Sequence, residues 1–264
     1  MDSAISTSTP GLLSIQEISL QFGGIRALQG VSFDVPRGSI CGLIGPNGAG
    51  KTSLFNCLSR LYQCSAGEMS FRGERITHAP PHRIAELGIG RTFQNLALFR
   101  TLSVLDNVKV GRHCRTRTGF IANALRLPHV VRERAETERK ALEIIDFLDL
   151  GAVVHTRVSD LPFGTQKRVE LARALAAEPS LLLLDEPACG LNHEEVSALG
   201  ELIRSVRDKL KTTVLLVEHH MGLVMGISDH VVALNFGRLI ARGTPQEVAS
   251  NPEVVAAYLG GVNA

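Results

Sequence analysis

The chain has 264 residues, 44% of them hydrophobic, which is enough for one large domain or a domain with a subdomain. A net charge of +2 argues against nucleic acid as an obligatory partner, and no apolar run approaches the roughly 18 residues that a membrane span needs. The five cysteines are scattered, and their odd number indicates reduced thiols in the cytosol. A disordered lead-in is predicted over residues 1–11, because residues 1–10 are rich in Ser and Thr and lack a secretory pattern.

The first predicted elements end in a phosphate-binding loop. Residues 12–35 read as two strands around Gly23 and Gly24, and residues 39–44 as a buried strand before a helix that begins at Lys51. Between them lies a match to G-x-x-x-x-G-K-[ST], in which glycines let backbone N–H groups surround an anion. A plain glycine-rich turn rarely carries both the Gly-Lys pair and the hydroxyl. The predicted nucleotide-binding residues here are Gly45, Pro46, Asn47, Gly48, Ala49, Gly50, Lys51, Thr52 and Ser53.

Two side chains of this loop have specific predicted roles. Lys51 is expected to reach the β- and γ-phosphates of a nucleotide, and the Thr52 hydroxyl to hold Mg²⁺. The helix is expected to direct its N-terminal N–H groups and its positive dipole end at the same phosphates. Leu54, Phe55, Leu58 and Leu61 form its predicted apolar face.

The remaining pattern predicts an α/β fold with an inserted helical part. Residues 98–160 follow a helical pattern, with a long helix over residues 132–148, whereas residues 181–184 and 213–217 read as buried strands. Two further strands are expected around Phe236-Gly237, and capping boxes at Asn192 and Thr244 mark helix starts. Strands that alternate with helices predict a mainly parallel sheet covered on both faces.

An apolar strand ends in two acids, Asp185 and Glu186. A carboxylate at the tip of a buried strand beside a phosphate-binding loop is placed to hold Mg²⁺, which is the role predicted for Asp185. Glu186 can then orient or activate a water at the γ-phosphate. An ordinary strand end would explain Asp185 but would explain Glu186 poorly.

Residues 161–175, shortly before Asp185, resemble the signature of the ATP-binding cassette (ABC) family, Leu-Ser-Gly-Gly-Gln followed by a basic helix that ends Ala-Arg-Ala-Leu. The family's Ser falls on Pro162, its first Gly on Phe163 and its Gln on Thr165. In the family this loop contacts the γ-phosphate of ATP held by a second subunit, and Pro162 removes a hydroxyl and an N–H from that contact. Without the resemblance, an amphipathic helix with a Pro start would be favoured. The predicted signature loop is Leu161, Pro162, Phe163, Gly164, Thr165 and Gln166.

The resemblance assigns three further residues. Phe22 stands where the family keeps an aromatic residue that stacks on adenine. Gln94 matches the glutamine that contacts Mg²⁺ and water and senses the membrane partner, and His219 matches the histidine that contacts the γ-phosphate. Gln94 and His219 thereby join Glu186 as predicted catalytic residues. Asn192 departs from the family's usual Asp.

The resemblance also implies a P-loop NTPase (RecA-like) fold with an N-terminal antiparallel β part. Its divisions are an ATP-binding core over residues 12–97 and 161–242, the helical subdomain over 98–160 and a C-terminal helical segment over 243–264. The implied cofactors are ATP and Mg²⁺.

Within the family, the chain is most similar to ATPases of branched-chain amino acid uptake, a subgroup that also handles amides, urea and aromatic acids. The features are Phe22-Gly23-Gly24, the Leu-Pro-Phe-Gly signature, Glu218-His219-His220-Met221 and Asn235-Phe236-Gly237. The implied partners are two membrane permease subunits, a second ATPase subunit and, indirectly, a periplasmic solute-binding protein, at the cytoplasmic face of a bacterial inner membrane. An exporter ATPase of the lipopolysaccharide type and a soluble non-transport ABC ATPase are the alternatives.

Two surface segments remain open from sequence. The arginines between residues 111 and 134 read as a solvated face, or as a contact with membrane subunits or lipid headgroups. Leu96, Leu98 and Phe99 form an apolar cluster that either docks a helix of the membrane subunits or packs inward.

Overall fold

The structure is a computed structural model, and it describes residues 11–93, 96–116 and 128–259. The strands in chain order are β1 (Leu13–Phe22), β2 (Ile25–Val35), β3 (Ile40–Ile44), β4 (Ala66–Phe71), β5 (Glu74–Arg75), β6 (Ile89–Arg91), β7 (Leu181–Asp185), β8 (Thr213–Val217), β9 (His230–Asn235) and β10 (Arg238–Gly243). The α-helices are α1 (Lys51–Leu58), α2 (Pro81–Leu87), α3 (Val104–Gly111), α4 (Pro128–Phe147), α5 (Phe163–Leu175), α6 (His193–Leu210), α7 (Met221–Ile227), α8 (Pro245–Ala249) and α9 (Pro252–Leu259).

The strands form two sheets that match the predicted fold class. The larger sheet has the order β10-β9-β3-β8-β7-β6, in which only the β10–β9 pair is antiparallel. The smaller sheet, β2-β1-β4-β5, is antiparallel throughout. The prediction of a mainly parallel sheet with an N-terminal antiparallel part is confirmed.

The larger sheet separates two hydrophobic cores. Every residue of β3, β7 and β8 is buried, as expected for parallel strands covered on both faces. Because side chains alternate along a strand, Leu182 and Leu184 pack in one core and Leu181 and Leu183 in the other. The ends of these strands are therefore held by packing on both faces of the sheet.

The predicted helical stretch contains α3 and α4, which pack against each other and against α5. Ser103 caps α3 by accepting a hydrogen bond from the Asp106 N–H at 3.1 Å. Residues 117–127 lie outside the described part of the chain. The five-part division made from sequence stays a prediction, and of the lead-in only Gly11 is described.

Three details differ from the sequence-based expectation. β4 and β5 were not predicted, because β4 is short, is partly polar and forms by pairing with distant β1. Helix α1 ends at Leu58, and Arg60 is left-handed with φ 59°, so Leu61 is more than half exposed rather than on an apolar helix face. The helix predicted from Arg132 begins earlier, at Pro128.

Arg112, from the arginine-rich insert, is not part of a solvated face, and Arg115 is exposed but still contacts the backbone. Arg112 is buried, donates to the Ala176 carbonyl at 3.2 Å and pairs with Glu178 at 3.3 Å. The Arg115 guanidinium donates to the Ala177 carbonyl at 2.7 Å. Both side chains therefore hold the C-terminal end of α5. Arg132 and Arg134 lie on α4 and are exposed.

Candidate functional site

The phosphate-binding loop connects β3 to α1 with a backbone that only glycine tolerates at two points. Gly45 has φ 148°, and a Cβ there would lie 2.2 Å from the Leu234 carbonyl oxygen. Gly50, the N-cap of α1, has φ 103°, and a Cβ there would lie 2.7 Å from the Ala27 carbonyl oxygen. The first N–H groups of α1 have no intrahelical acceptor, so this end of the helix can bind an anion.

Lys51 lies in the first turn of α1 and is buried beneath the loop. Its ammonium group donates to the carbonyls of Gly45 at 2.7 Å and Pro46 at 2.9 Å. Burial lowers the pKa of Lys51, and the carboxylates of Glu186 and Asp185 oppose that shift. The ammonium group therefore lies against the carbonyls of its own loop and near the predicted site residues Glu186 and Asp185, and Thr52 beside it is exposed.

Strand β7 places Asp185 and Glu186 beside the loop, because β3, β8 and β7 are parallel neighbours whose carboxyl ends meet at one edge. Asp185 is buried, and its Oδ1 has no hydrogen-bond partner within the described chain. An unpaired buried carboxylate oxygen fits the predicted role of a ligand to Mg²⁺ or to its water. Burial raises the pKa of Asp185, an effect that Arg91 opposes.

Arg91, at the end of β6, is a site residue for which the sequence suggests no role. Its guanidinium donates to Asp185 Oδ2 at 2.9 Å and also to Asn56 and Ser59 at 2.8 and 2.9 Å. Arg91 thus connects the tip of β7 to helix α1 and orients the Asp185 carboxylate. No sequence signal beyond its place three residues before Gln94 could have indicated this contact.

His219 and Glu186 meet although they follow different strands. The Nε2 atom of His219 lies 2.7 Å from Oε1 of Glu186. Glu186 has φ 49°, a left-handed backbone conformation that residues other than glycine rarely adopt and that is found at functional positions. Buried Glu218, also missed from sequence, accepts the N–H groups of Ala188 at 2.6 Å and His219 at 2.9 Å, so it fixes both loops.

One groove contains most of the predicted nucleotide-binding residues. It is lined by residues 47–53 of the phosphate-binding loop together with Glu186, His219, Ile25 and Phe236. Phe22, the residue predicted to stack on adenine, is nearly half exposed at the end of β1 and contacts the edge of Tyr62, with ring centroids 5.1 Å apart. The stacking role of Phe22 stays a prediction, as does any role of Gln94, which lies outside the described residues.

The predicted signature loop forms the start of α5. Pro162 stands at the N-cap with φ −56°, one residue before the first helical position, and no side chain caps the helix. Phe163 is nearly half exposed, with Lys167 5.6 Å from its ring centroid. Gln166 donates from its amide to the Leu161 carbonyl at 2.8 Å, so it supports the loop internally. Half-buried Gly164 and Thr165 follow in the first turn, where backbone N–H groups lack intrahelical acceptors.

Comparison with known proteins gives two family matches and several similar proteins. The sequence profile described as ABC transporter matches residues 28–189, and that of the branched-chain amino acid ATP-binding cassette transporter matches residues 238–263. The ATP-binding protein LivG of Salmonella typhimurium, named for high-affinity branched-chain amino acid transport, is 41% identical over 94% of this chain and 98% of its own length. The corresponding protein BraF of Pseudomonas aeruginosa is 40% identical over the same shares.

A solved structure shares the whole fold. The ADP conformation of MJ1267, an ATP-binding cassette of an ABC transporter, superimposes with a TM-score of 0.83 at 30% identity and covers 96% of this chain and all of that one. Among the described residues, no helix is both long and apolar enough to cross a membrane. The chain belongs to the ABC transporter family, as an ATP-binding cassette.

Proposed function

We propose that this ABC ATPase is the ATP-hydrolysing subunit of an importer for branched-chain amino acids or for related amides, urea or aromatic acids. The observation that carries hydrolysis is the single groove that joins the Lys51 loop to Glu186 and His219. The solute class rests on LivG and BraF, which are named for branched-chain amino acid transport, and on the match at residues 238–263. These names disfavour the lipopolysaccharide exporter and the soluble ATPase.

Lys51, Thr52 and Asp185 have separate roles in binding ATP and its Mg²⁺. Lys51 exchanges the carbonyls of Gly45 and Pro46 for phosphate oxygens and offsets their charge. Thr52 and Asp185 would hold Mg²⁺, and Gln94 would contact the ion and its water. When bound, the ion offsets negative charge on the phosphates. Arg91 keeps Asp185 Oδ2 occupied, so Oδ1 is the oxygen left for the ion or its water.

Glu186 and His219 act at the water that attacks the γ-phosphate. The Glu186 carboxylate accepts the proton of that water. With its proton on Nε2, His219 donates to the same carboxylate and holds its orientation. Phe22 would support the adenine ring from the end of β1.

Hydrolysis requires a second cassette in this proposal. The first turn of α5, with exposed Phe163 and half-buried Gly164, would face the γ-phosphate on a partner ATPase subunit, either a second copy or a related chain. Two cassettes would thus enclose two ATP molecules and drive two permease subunits. A periplasmic solute-binding protein would deliver the solute.

The groove that contains Phe93 is the proposed contact with a permease. Phe93 and Val110 are each more than a third exposed, and they line a groove with Arg173. A partly apolar groove suits an amphipathic helix. In this proposal the subunit lies at the cytoplasmic face of a bacterial inner membrane.

Purification from native membranes followed by reconstitution tests the proposal. We expect two permease subunits and an ATPase partner to co-purify, and ATP turnover in lipid to rise when the solute-binding protein is loaded with leucine, isoleucine or valine. Urea, amides and aromatic acids are compared in parallel, and a complex with Glu186→Gln gives the background. Export-type partners, or turnover indifferent to every solute, would contradict import.

A further inference from the structure

The C-terminal helix α9 is fixed against the body of the cassette. Asn251 Oδ1 accepts the Glu253 N–H at 2.8 Å and so caps the start of α9. Val254 is buried on the inner face of the helix, and Tyr258 lies one turn later on the same face. Tyr258 is half-buried and packs against the core below the sheet. Its hydroxyl is therefore held in a defined place.

The Tyr258 hydroxyl contacts Gly45, the first residue of the phosphate-binding loop. The Gly45 N–H donates to the Tyr258 hydroxyl at 2.8 Å. Gly45 is buried directly after the last residue of β3, where the sheet ladder ends. Buried backbone N–H groups in proteins are nearly always paired, and Tyr258 supplies the acceptor here.

The other side of the same residue is held by Lys51, which donates to the Gly45 carbonyl at 2.7 Å. Lys51 must redirect its donors to bind phosphate, so this restraint weakens as the nucleotide enters. The Tyr258 contact is made at the Gly45 N–H and does not use the donors of Lys51, so it has no need to break. Burial also raises the pKa of Tyr258, so its hydroxyl stays protonated at neutral pH.

We propose that Tyr258 is a positioning residue that fixes the entry of the phosphate-binding loop, so that α9 sets the affinity of the site for nucleotide. The inference rests on the proposed role of the loop as the ATP site. Tyr258 acts through the Gly45 backbone.

The test replaces only the hydroxyl. In the full chain, we expect Tyr258→Phe to weaken ATP and ADP binding, measured by calorimetry, about 3- to 10-fold, the effect of losing one hydrogen bond of ordinary strength. In the assembled complex, KM should rise by a similar factor while kcat stays within about twofold, because neither Glu186 nor His219 is touched. Tyr62→Phe, a change at the other of the two tyrosines, should leave both quantities unchanged.

Unchanged affinity in Tyr258→Phe, whether or not its melting temperature falls, would overturn the proposal. Lys51→Ala separates the two hypotheses: loss of binding in Lys51→Ala with normal binding in Tyr258→Phe rejects only the role of Tyr258, whereas normal binding in Lys51→Ala rejects the ATP site itself.

Discussion

The Nε2 atom of His219 lies 2.7 Å from Oε1 of Glu186, although the two residues follow different strands. Parallel neighbours β7 and β8 bring them together, since their carboxyl ends lie at the same edge. Buried Glu218 then ties the loop after β7 to the loop after β8 through the N–H groups of Ala188 and His219. Contacts within the chain itself thus bring the proposed catalytic pair together.

Glu186→Gln should retain ATP binding and lose turnover by about 100-fold or more, because an amide of the same size cannot accept the proton of water. Nucleotide affinity, steady-state ATPase activity and the lifetime of an ATP-bound dimer in size-exclusion chromatography measure this effect. Glu201→Gln, an exposed change on α6, is the matched control. Turnover like that of the wild type would exclude Glu186 as the base.

Arg91→Ala should destabilise the fold by about 3 kcal/mol, because it leaves the buried Asp185 carboxylate without its cationic partner. Arg83→Ala removes an exposed pair with Glu86 and should cost less than about 1 kcal/mol. Urea unfolding of both variants gives the comparison. An equal loss of unfolding free energy in the two variants would show that the Arg91–Asp185 pair stabilises the fold no more than an exposed pair does.

Pro162→Ser should leave turnover unchanged or raise it, because it restores the hydroxyl and N–H of the signature. The structure adds a reason to expect an intact fold: Pro162 stands at the N-cap of α5, where serine is a preferred residue. Thermal unfolding and ATPase activity of the assembled complex test this expectation. A large loss of both would mean that the fixed φ of proline is needed to start the helix.

Phe99→Glu should weaken assembly with the permease and leave nucleotide binding by the free subunit near normal, because half of Phe99 is exposed. Leu98→Glu should instead destabilise the free subunit, since Leu98 packs against the hydrophobic core. The structure thus separates two residues that the sequence groups in one cluster. Co-purification and melting temperature distinguish the outcomes, and unfolding caused by Phe99→Glu would remove it from the docking surface.

What could be predicted from sequence depended on short-range signals. The phosphate-binding loop, the acids that end β7 and the capping boxes at Asn192 and Thr244 each occupy a few consecutive residues, and the structure forms all of these elements. The contacts of Arg91 with Asp185 and of Tyr258 with Gly45 join residues far apart in the chain. These contacts form only when the strands pair and α9 packs against the sheet, so no local sequence pattern predicts them.

The arginine contacts at the end of α5 have a mechanical consequence. Arg112 and Arg115 hold the carbonyls of Ala176 and Ala177, while the opposite end of the helix, at Phe163, is uncapped. The 13 residues of α5 span about 20 Å, so a tilt of about 10° around the held end would carry the free end about 3 Å, the length of a hydrogen bond. A helix held at one end in this way can pivot about the two arginine contacts. A small shift of α3 and α4, which pack against α5, would then be enough to make or break the proposed contact between the first turn of α5 and a phosphate on the partner subunit.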